Sequence, residues 1–140
     1  MNKKLNKVLI VDDSAADIFI MKRVINRAEV TNEVIEKYGV QEALDYLSTK
    51  ENNEYPNPNI IFLDINMPNK TGWDFLDEYE KLDMSMRADV IICMITTSKD
   101  PSERDRAKKF KIVGDFLLKP LTKEKIFEII ELNFSKKSLK

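Results

Sequence analysis

Short runs of consecutive apolar residues constrain the fold of this chain more than any other feature of the sequence. Four of them are Val8–Val11, Ile60–Leu63, Val90–Ile95 and Phe116–Leu118. A run of this length without polar alternation is typical of a strand that is buried on both faces, as in a parallel sheet. Val34–Tyr38, which is more mixed in character, adds a fifth predicted strand.

Helical patterns follow each of these predicted strands. Ser14 with Asp17 three residues later is typical of a helix N-cap, and Thr71 with Asp74 repeats this spacing. Asp100 directly before a proline marks the start of another helix. Apolar residues at helical spacing predict the core-facing sides, namely Ile18, Met21, Ile25 and Ala28; Ala43, Leu44 and Leu47; Trp73, Phe75, Leu76 and Tyr79; and Ile126, Phe127, Ile129, Ile130 and Phe134.

Five strands alternating with five helices predict an α/β fold with a doubly wound parallel sheet. The chain of 140 residues fits a single domain, with a core over about residues 7–134 and a basic tail at 135–140. No signal peptide fits the N-terminus, and no apolar run approaches the ~18 residues of a membrane helix, so we expect a cytoplasmic protein without membrane insertion. The only cysteine, Cys93, is expected to be a buried thiol in a reducing compartment.

The composition also excludes several kinds of chemistry. The chain contains no histidine, which rules out a histidine base, nucleophile or metal ligand and argues against most zinc sites. Its 23 basic and 24 acidic side chains give a net charge of -1. Because no excess of positive charge is present, we do not expect direct binding to nucleic acid.

Polar residues follow the predicted strands at the points where those strands end. Asp12 and Asp13 follow the first strand, Asp64 ends the third, Thr96 the fourth and Lys119 the fifth. Each is weak evidence alone, since an aspartate pair commonly caps a helix and aspartate is frequent in turns. Parallel sheets bind ligands at the carboxyl ends of their strands, so the shared position of these five residues favours a functional site.

Three carboxylates at one sheet edge would repel one another. Each pair would cost roughly 4 kcal/mol at a separation of about 4 Å and an effective dielectric of about 20, unless a cation lies between them. Oxygen ligands with an open coordination sphere suit Mg²⁺. Such a metal and Lys119 would face the negative charge of a transferring phosphoryl group. One aspartate, ionised at neutral pH, would remain as the nucleophile.

The sequence resembles the response regulator receiver family over about residues 7–134. The resemblance depends on the segments Val-Leu-Ile-Val-Asp12-Asp13-Ser, Asp64-Ile-Asn66-Met67-Pro68 with Gly72 following, Met-Ile-Thr96-Thr97-Ser98, and Phe116-Leu-Leu-Lys119-Pro120. This set, in this order, is highly specific. It implies a flavodoxin-like fold with the strand order 2-1-3-4-5, which is known in chemotaxis members of the family.

The resemblance implies a role for each acidic residue. Asp64 would be the phosphorylation site and also contact the metal. Asp13 would bind Mg²⁺ directly, Asp12 would hold it through water, and Asn66 would contribute its backbone carbonyl.

The resemblance also implies how a switch would work. Thr96 would hydrogen-bond the phosphoryl oxygen, Lys119 would form an ion pair with it, and Phe116 would turn from an exposed to a buried position. The Lys119–Pro120 peptide bond would be cis. The spacing back from the lysine fits Thr97 as the hydroxyl, whereas the start of the following helix favours Thr96. We choose Thr96, which requires an extra residue near positions 111–114.

The implied function is that of a stand-alone receiver in a two-component phosphorelay. Its phosphoryl donor would be a sensor histidine kinase or a histidine phosphotransfer protein, and its output would be contact with a downstream protein target. Such a domain is a phosphoacceptor that assists its own phosphorylation and dephosphorylation, and it is not an enzyme with turnover.

Three alternatives fit the sequence less well. A phosphorylation-independent binding module would have no use for an intact Asp64, Thr96 and Lys119. An aspartate-nucleophile phosphohydrolase needs a second aspartate two residues after the nucleophile, where this chain has Asn66. A flavodoxin-like cofactor protein needs a phosphate-binding loop after the first strand, and no glycine precedes Gly39.

Overall fold

The computed structural model describes residues 4–86 and 91–135, in which strands and helices alternate. In chain order the elements are β1 (Leu5–Val11), α1 (Ala15–Ala28), β2 (Thr31–Lys37), α2 (Val40–Leu47), β3 (Ile60–Asp64), α3 (Gly72–Tyr79), a 3-10 turn (Met84–Met86), β4 (Ile91–Thr96), α4 (Pro101–Ala107), β5 (Val113–Leu118), α5 (Lys123–Ile130) and a π-helical segment (Glu131–Ser135). The predicted alternation is therefore confirmed. Val90, the side chain of Phe134 and residues 136–140, all included in the sequence predictions, lie outside the described residues.

The five strands form one parallel sheet in the order β2-β1-β3-β4-β5, as the family resemblance implied. The register pairs Val11 with Leu63, and Asp64 with Ile95, so β1, β3 and β4 end at the same edge. The strand order reverses between β1 and β3, because the chain continues from β1 to one side and returns on the other. Ligand sites of such sheets lie at this point, which is where the carboxyl ends of β1 and β3 meet.

Apolar side chains cover both faces of the sheet. Leu9 and Val11 pack in a cluster with residues of α2 and α3, whereas Val8 and Ile10 pack with α1 and α5. Successive side chains of the strand therefore pack in two separate cores, one on each face of the sheet. Each fully buried aliphatic or aromatic side chain contributes roughly 1.5 to 3 kcal/mol to the stability of the folded protein. Cys93 is completely buried in the second cluster, as expected for a structural thiol. None of the helices in the described part of the chain is long and apolar enough to cross a lipid bilayer.

The last strand is longer than the sequence predicted. β5 begins at Val113 instead of Phe116, since an edge strand with one neighbour tolerates the polar residues at its start. Its register with β4 shifts, because Ile92 pairs with Val113 whereas Cys93 pairs with Asp115. Gly114 is therefore skipped in the pairing, which is the pattern of a β-bulge. This residue falls in the segment 111–114 where an extra residue was expected.

The helix starts agree with the predicted caps. Thr71 and Asp74 form a reciprocal capping box at the start of α3. At α1 the hydroxyl of Ser14 accepts a hydrogen bond from the backbone N–H of Asp17, but the N–H of Ser14 donates to Asp12. The Asp17 carboxylate is thus not needed for the cap and is available for other contacts.

Candidate functional site

Three aspartates converge at the edge where β1 and β3 end. Carboxylate oxygens of Asp12, Asp13 and Asp64 all lie within 4.8 Å of one another. Asp12 is completely buried and Asp64 is 6% exposed, whereas Asp13 is open to solvent. The cluster is therefore closed towards the core and accessible from the side of Asp13.

Lys119 brings a positive charge into this acidic cluster. Its Nζ lies 2.9 Å from Asp12 Oδ2 and 3.2 Å from Asp64 Oδ1. The backbone N–H of Lys119 donates to the carbonyl oxygen of Thr96, which ties the end of β5 to the end of β4. The following peptide bond to Pro120 is cis, as the family resemblance implied. The lysine thus reaches Asp12 and Asp64 from the end of β5, which is not a neighbour of β1 or β3 in the sheet.

A fourth carboxylate, which sequence analysis assigned only to helix capping, also contacts the lysine. Asp17 Oδ2 lies 2.7 Å from Lys119 Nζ, which makes this the shortest of the three ion pairs of the lysine. Asp17 lies in the first turn of α1, the helix that follows β1. Its position one turn after the acidic pair was the available signal, but the cap pattern offered a sufficient explanation.

Burial and neighbouring charges shift the pKa values of Asp64 and Lys119. The pKa of Asp64 is raised from 3.8 to about 6, first by burial and then by the negative charge of Asp12, and Lys119 only partly offsets this. Burial alone would lower the pKa of Lys119, but hydrogen bonds to Asp17 and Asp12 outweigh burial and raise the pKa. Asp64 is therefore still mainly ionised at neutral pH, and the lysine is fully charged.

Asp12 is held in place by contacts to both of its carboxylate oxygens. Oδ1 accepts a hydrogen bond of 2.9 Å from the backbone N–H of Ser14, and Oδ2 accepts one from Lys119. Both carboxylate oxygens of Asp12 therefore already have hydrogen-bond partners within the protein. Asn66 is exposed in the loop after β3, two residues beyond Asp64.

The buried threonine at the end of β4 is Thr96, which is 1% exposed, whereas Thr97 is exposed. The Thr96 hydroxyl accepts a hydrogen bond of 3.1 Å from the backbone N–H of Ser98. Asp64 and Thr96 each end their strand, as expected. Of the two candidate hydroxyls, Thr96 is thus the buried one, and its role as the switch hydroxyl stays a prediction.

Phe116 differs from its expected starting position. The ring was expected to be exposed before any switch, but it is only 8% exposed and packs in the core cluster under α4. The guanidinium of Arg104 lies 5.0 Å from the ring centroid and covers its outer face. The ring is therefore already turned inward in this structure.

The chemistry of the cluster suits a hard divalent cation. All three aspartates offer carboxylate oxygens, which Mg²⁺ prefers, and the cluster contains no nitrogen or sulfur group. The exposed Asp13 leaves room for the water molecules that Mg²⁺ retains. Asp12, Asp13 and Asp64 are thus a suitable set of side chains for this metal.

Comparison with known proteins agrees with the fold. Similar solved structures include a response regulator receiver protein from Dyadobacter fermentans, which is 27% identical with a TM-score of 0.81 over 91% of this chain and 97% of that chain. A two-component response regulator from Cytophaga hutchinsonii is 24% identical, with a TM-score of 0.80 over 93% of this chain and 97% of that chain. The second likeness is one of fold alone.

Two curated relatives cover most of this chain. Response regulator Rcp1 from Synechocystis is 28% identical over 126 residues, which is 89% of this chain and 83% of that protein. Protein-glutamate methylesterase/protein-glutamine glutaminase 3 from Burkholderia thailandensis is 31% identical over 115 residues, or 81% of this chain. The match spans only 29% of the length of the methylesterase.

The family of response regulator receiver domains matches residues 8–131, which is most of the chain. The parallel sheet with the strand order 2-1-3-4-5 and the acidic cluster at its carboxyl edge agree with this match. The chain therefore belongs to the response regulator receiver domain family, the signalling domains of two-component systems.

Proposed function

We propose that this chain accepts a phosphoryl group on Asp64 from a phosphohistidine donor, with Mg²⁺ bound beside it. The observation that carries the proposal is the position of Asp64, a buried strand-end carboxylate next to two further aspartates and 3.2 Å from Lys119 Nζ. Within the described residues, this is the only cluster of three potential metal-ligating side chains.

The reaction requires an ionised nucleophile and positive charge near the phosphoryl oxygens. Asp64, with a pKa of about 6, is mainly ionised at pH 7 and needs no general base. One of its carboxylate oxygens would bond to phosphorus as the phosphorus–nitrogen bond of the donor breaks, and the donor imidazole would keep the electron pair of that bond. Because the nucleophile arrives as an anion, no proton has to leave Asp64.

The remaining residues of the site would orient and stabilise the phosphoryl group. Lys119, which already contacts Asp64, would pair with a phosphoryl oxygen, and the buried Thr96 hydroxyl would donate a hydrogen bond to another. Asp13 and Asp64 would hold Mg²⁺ directly, Asp12 through water and Asn66 through its backbone carbonyl. The metal, when bound, supplies positive charge to the transferring group.

The signalling role follows from this chemistry. The donor would be a sensor histidine kinase or a histidine phosphotransfer protein, and a downstream protein would read the phosphorylated surface. The alternative is a receiver-like module that binds partners without phosphorylation. The two differ in whether Asp64 can be modified at all.

Labelling by a small phosphodonor would test the proposal. The protein is incubated with acetyl phosphate and Mg²⁺, and the intact mass and the modified peptide are determined. We expect one phosphoryl group, located on Asp64, which disappears in Asp64→Asn and in EDTA. Asp77→Asn, an exposed aspartate on α3, is the matched control and should be labelled normally.

Two outcomes would overturn the proposal. Labelling of Asp64→Asn at the normal level would place the nucleophile elsewhere. An unmodified protein that takes up no phosphoryl group under these conditions would favour the phosphorylation-independent module.

A further inference from the structure

The three N–H donors of the Lys119 ammonium all face carboxylates. A lysine ammonium has three donors and no acceptor, so its partners compete for a fixed number of hydrogen bonds. Here the partners are Asp17 at 2.7 Å, Asp12 at 2.9 Å and Asp64 at 3.2 Å. The proposed phosphorylation site is thus the most distant of the three.

Asp17 differs from the other two partners of the lysine. It does not belong to the cluster of carboxylates suited to a metal, which contains Asp12, Asp13 and Asp64. A cation bound there would draw the carboxylates of that cluster towards itself, but it would leave the contact of Asp17 with Lys119 intact. The side chain of Asp17 is 39% exposed, and its carboxylate is not used by the helix cap.

We propose that Asp17 is a positioning residue that holds Lys119 towards α1 and thereby weakens the binding of a phosphoryl group at Asp64. The inference rests on the proposed function. A phosphoryl group on Asp64 would add oxygens that need donors from Lys119, and Asp17 retains one of these donors. Asp17 therefore sets how strongly the phosphorylated state is favoured.

The removal of the Asp17 charge has two opposite consequences for ligand binding. With one donor released, Lys119 can bind a phosphoryl oxygen more fully, so a phosphoryl analogue should bind more tightly. In the unphosphorylated protein the released lysine should pair more closely with Asp12 and Asp64, and it should therefore compete more strongly with Mg²⁺. A general loosening of the site would instead weaken the binding of both ligands.

Calorimetric titration with beryllium fluoride in the presence of saturating Mg²⁺ is the direct test, since beryllium fluoride is a stable mimic of a phosphoryl group on a carboxylate. We expect Asp17→Asn to bind beryllium fluoride about fivefold more tightly than the unmodified protein, the range expected for a partly exposed ion pair. Mg²⁺ alone should bind severalfold more weakly. Asp17→Asn keeps the backbone N–H that donates to the Ser14 hydroxyl, so the start of α1 should remain folded.

Two further variants separate the lysine contact from a general charge effect. Asp17→Glu keeps the carboxylate and should restore affinities close to those of the unmodified protein. Glu124→Gln removes the same charge from the first turn of α5, another helix that begins at this edge of the sheet, and should change neither affinity more than twofold.

A double-mutant cycle with Lys119→Met identifies the residue through which Asp17 acts. The cycle uses the affinity for Mg²⁺ alone, which needs no phosphoryl analogue. In the Lys119→Met background, Asp17→Asn should alter Mg²⁺ affinity no more than Glu124→Gln does. An undiminished effect of Asp17→Asn without the lysine would overturn the proposal.

The beryllium fluoride titration also distinguishes failure of this inference from failure of the proposed function. Unchanged or weaker binding by Asp17→Asn, with normal binding by the unmodified protein, would overturn only the role of Asp17. Absence of binding by the unmodified protein would overturn both the proposed phosphoacceptor function and the role of Asp17.

Discussion

The backbone of Gly72 approaches the carbonyl oxygen of Asp64 so closely that a Cβ atom at position 72 would lie 2.6 Å from it. The same Cβ atom would lie 3.0 Å from the Cα atom of Ile65. The N–H of Gly72 donates a 2.8 Å hydrogen bond to the carbonyl of Ile65, which holds the start of α3 against the end of β3. Glycine is therefore needed here because of space and not because of a positive φ.

We expect Gly72→Ala to disturb the proposed phosphorylation site directly. The methyl group meets backbone atoms that cannot rotate away, so either α3 or the end of β3 must shift, at a cost of about 1 to 3 kcal/mol. Labelling of Asp64 by acetyl phosphate should slow at least tenfold, measured as an initial rate.

Gly39→Ala provides the matched control for this substitution. Gly39 is the N-cap of α2 and has an extended backbone, and a Cβ atom added there would meet open space, with no contact within 4 Å. We expect it to change stability by only a few tenths of a kcal/mol to about 1 kcal/mol and to leave labelling unchanged. Equal labelling rates for the two glycine variants would show that the close approach is unimportant.

The sequence was sufficient to predict the main features of this edge of the sheet. Buried strands appear in the sequence as apolar runs, and a polar residue follows the end of each run. Because the carboxyl ends of parallel strands meet at one edge of the sheet, Asp64, Thr96 and Lys119 could be assigned to that edge. Positions that depend on packing were harder to predict. The bulge at Gly114 was expected only as an extra residue, because a pairing register between strands is a long-range property.

Two side-chain contacts between residues distant in the sequence could not be predicted. Asp17 matches a capping pattern and was assigned to it, yet its carboxylate contacts Lys119, which is 102 residues away along the chain. Phe116 was expected to be exposed, but it packs in the core, and Arg104 of α4 lies over its ring. Local spacing placed Asp17 one turn after the acidic pair, but it could not show that Lys119 would be its partner or that Arg104 would lie over Phe116.

The raised pKa of Asp64 predicts how stability depends on pH. A carboxyl group whose pKa is higher in the folded state than its ordinary value binds its proton more tightly when folded. The free energy of unfolding therefore falls as pH rises from 3.8 to about 6, and this loss is complete above that window. A shift of about two units corresponds to roughly 3 kcal/mol.

Asp64→Asn should remove this pH-dependent loss. In metal-free buffer we expect the variant to be more stable than the unmodified protein above pH 6, by up to roughly 3 kcal/mol, with the difference shrinking towards pH 4. Urea unfolding at several pH values measures this difference. The prediction fails if the variant is the less stable protein at pH 7, or if its stability difference is the same at every pH.

Mg²⁺ should stabilise the folded protein by relieving repulsion in the acidic cluster. At a concentration a hundredfold above its dissociation constant, a ligand specific for the folded state adds about 2.7 kcal/mol. Asp13→Asn should lose most of this gain and should raise stability in the absence of metal, because one of three clustered charges is removed. Asp77→Asn should be stabilised by Mg²⁺ as much as the unmodified protein. A melting temperature of the unmodified protein that does not change when Mg²⁺ is added would contradict the metal site.

The β4–α4 connection offers a path from Thr96 to the start of α4. The N–H of Ser98 donates to the Thr96 hydroxyl, and the Ser98 hydroxyl accepts from the N–H of Asp100. Asp100 in turn caps α4 by accepting from the N–H of Ser102. Any movement of the threonine towards Asp64 would therefore pull on the residues that begin α4.

We expect Thr96→Ala to separate phosphorylation from its effect on the surface. The Thr96 hydroxyl has one donor, which is free to bind a phosphoryl oxygen while the oxygen atom still accepts from Ser98. A hydrogen bond to a charged group is worth roughly 1.5 to 3 kcal/mol, enough to shift a two-state equilibrium about ten- to a hundredfold. Without this bond, Asp64 should still accept the phosphoryl group, but residues 103–118 should lose most of their phosphorylation-dependent change in hydrogen exchange. Thr97→Ala, at the exposed neighbouring position, should behave like the unmodified protein. If only Thr97→Ala loses the change in hydrogen exchange, the switch hydroxyl belongs to Thr97. If neither variant loses it, neither hydroxyl is part of the switch.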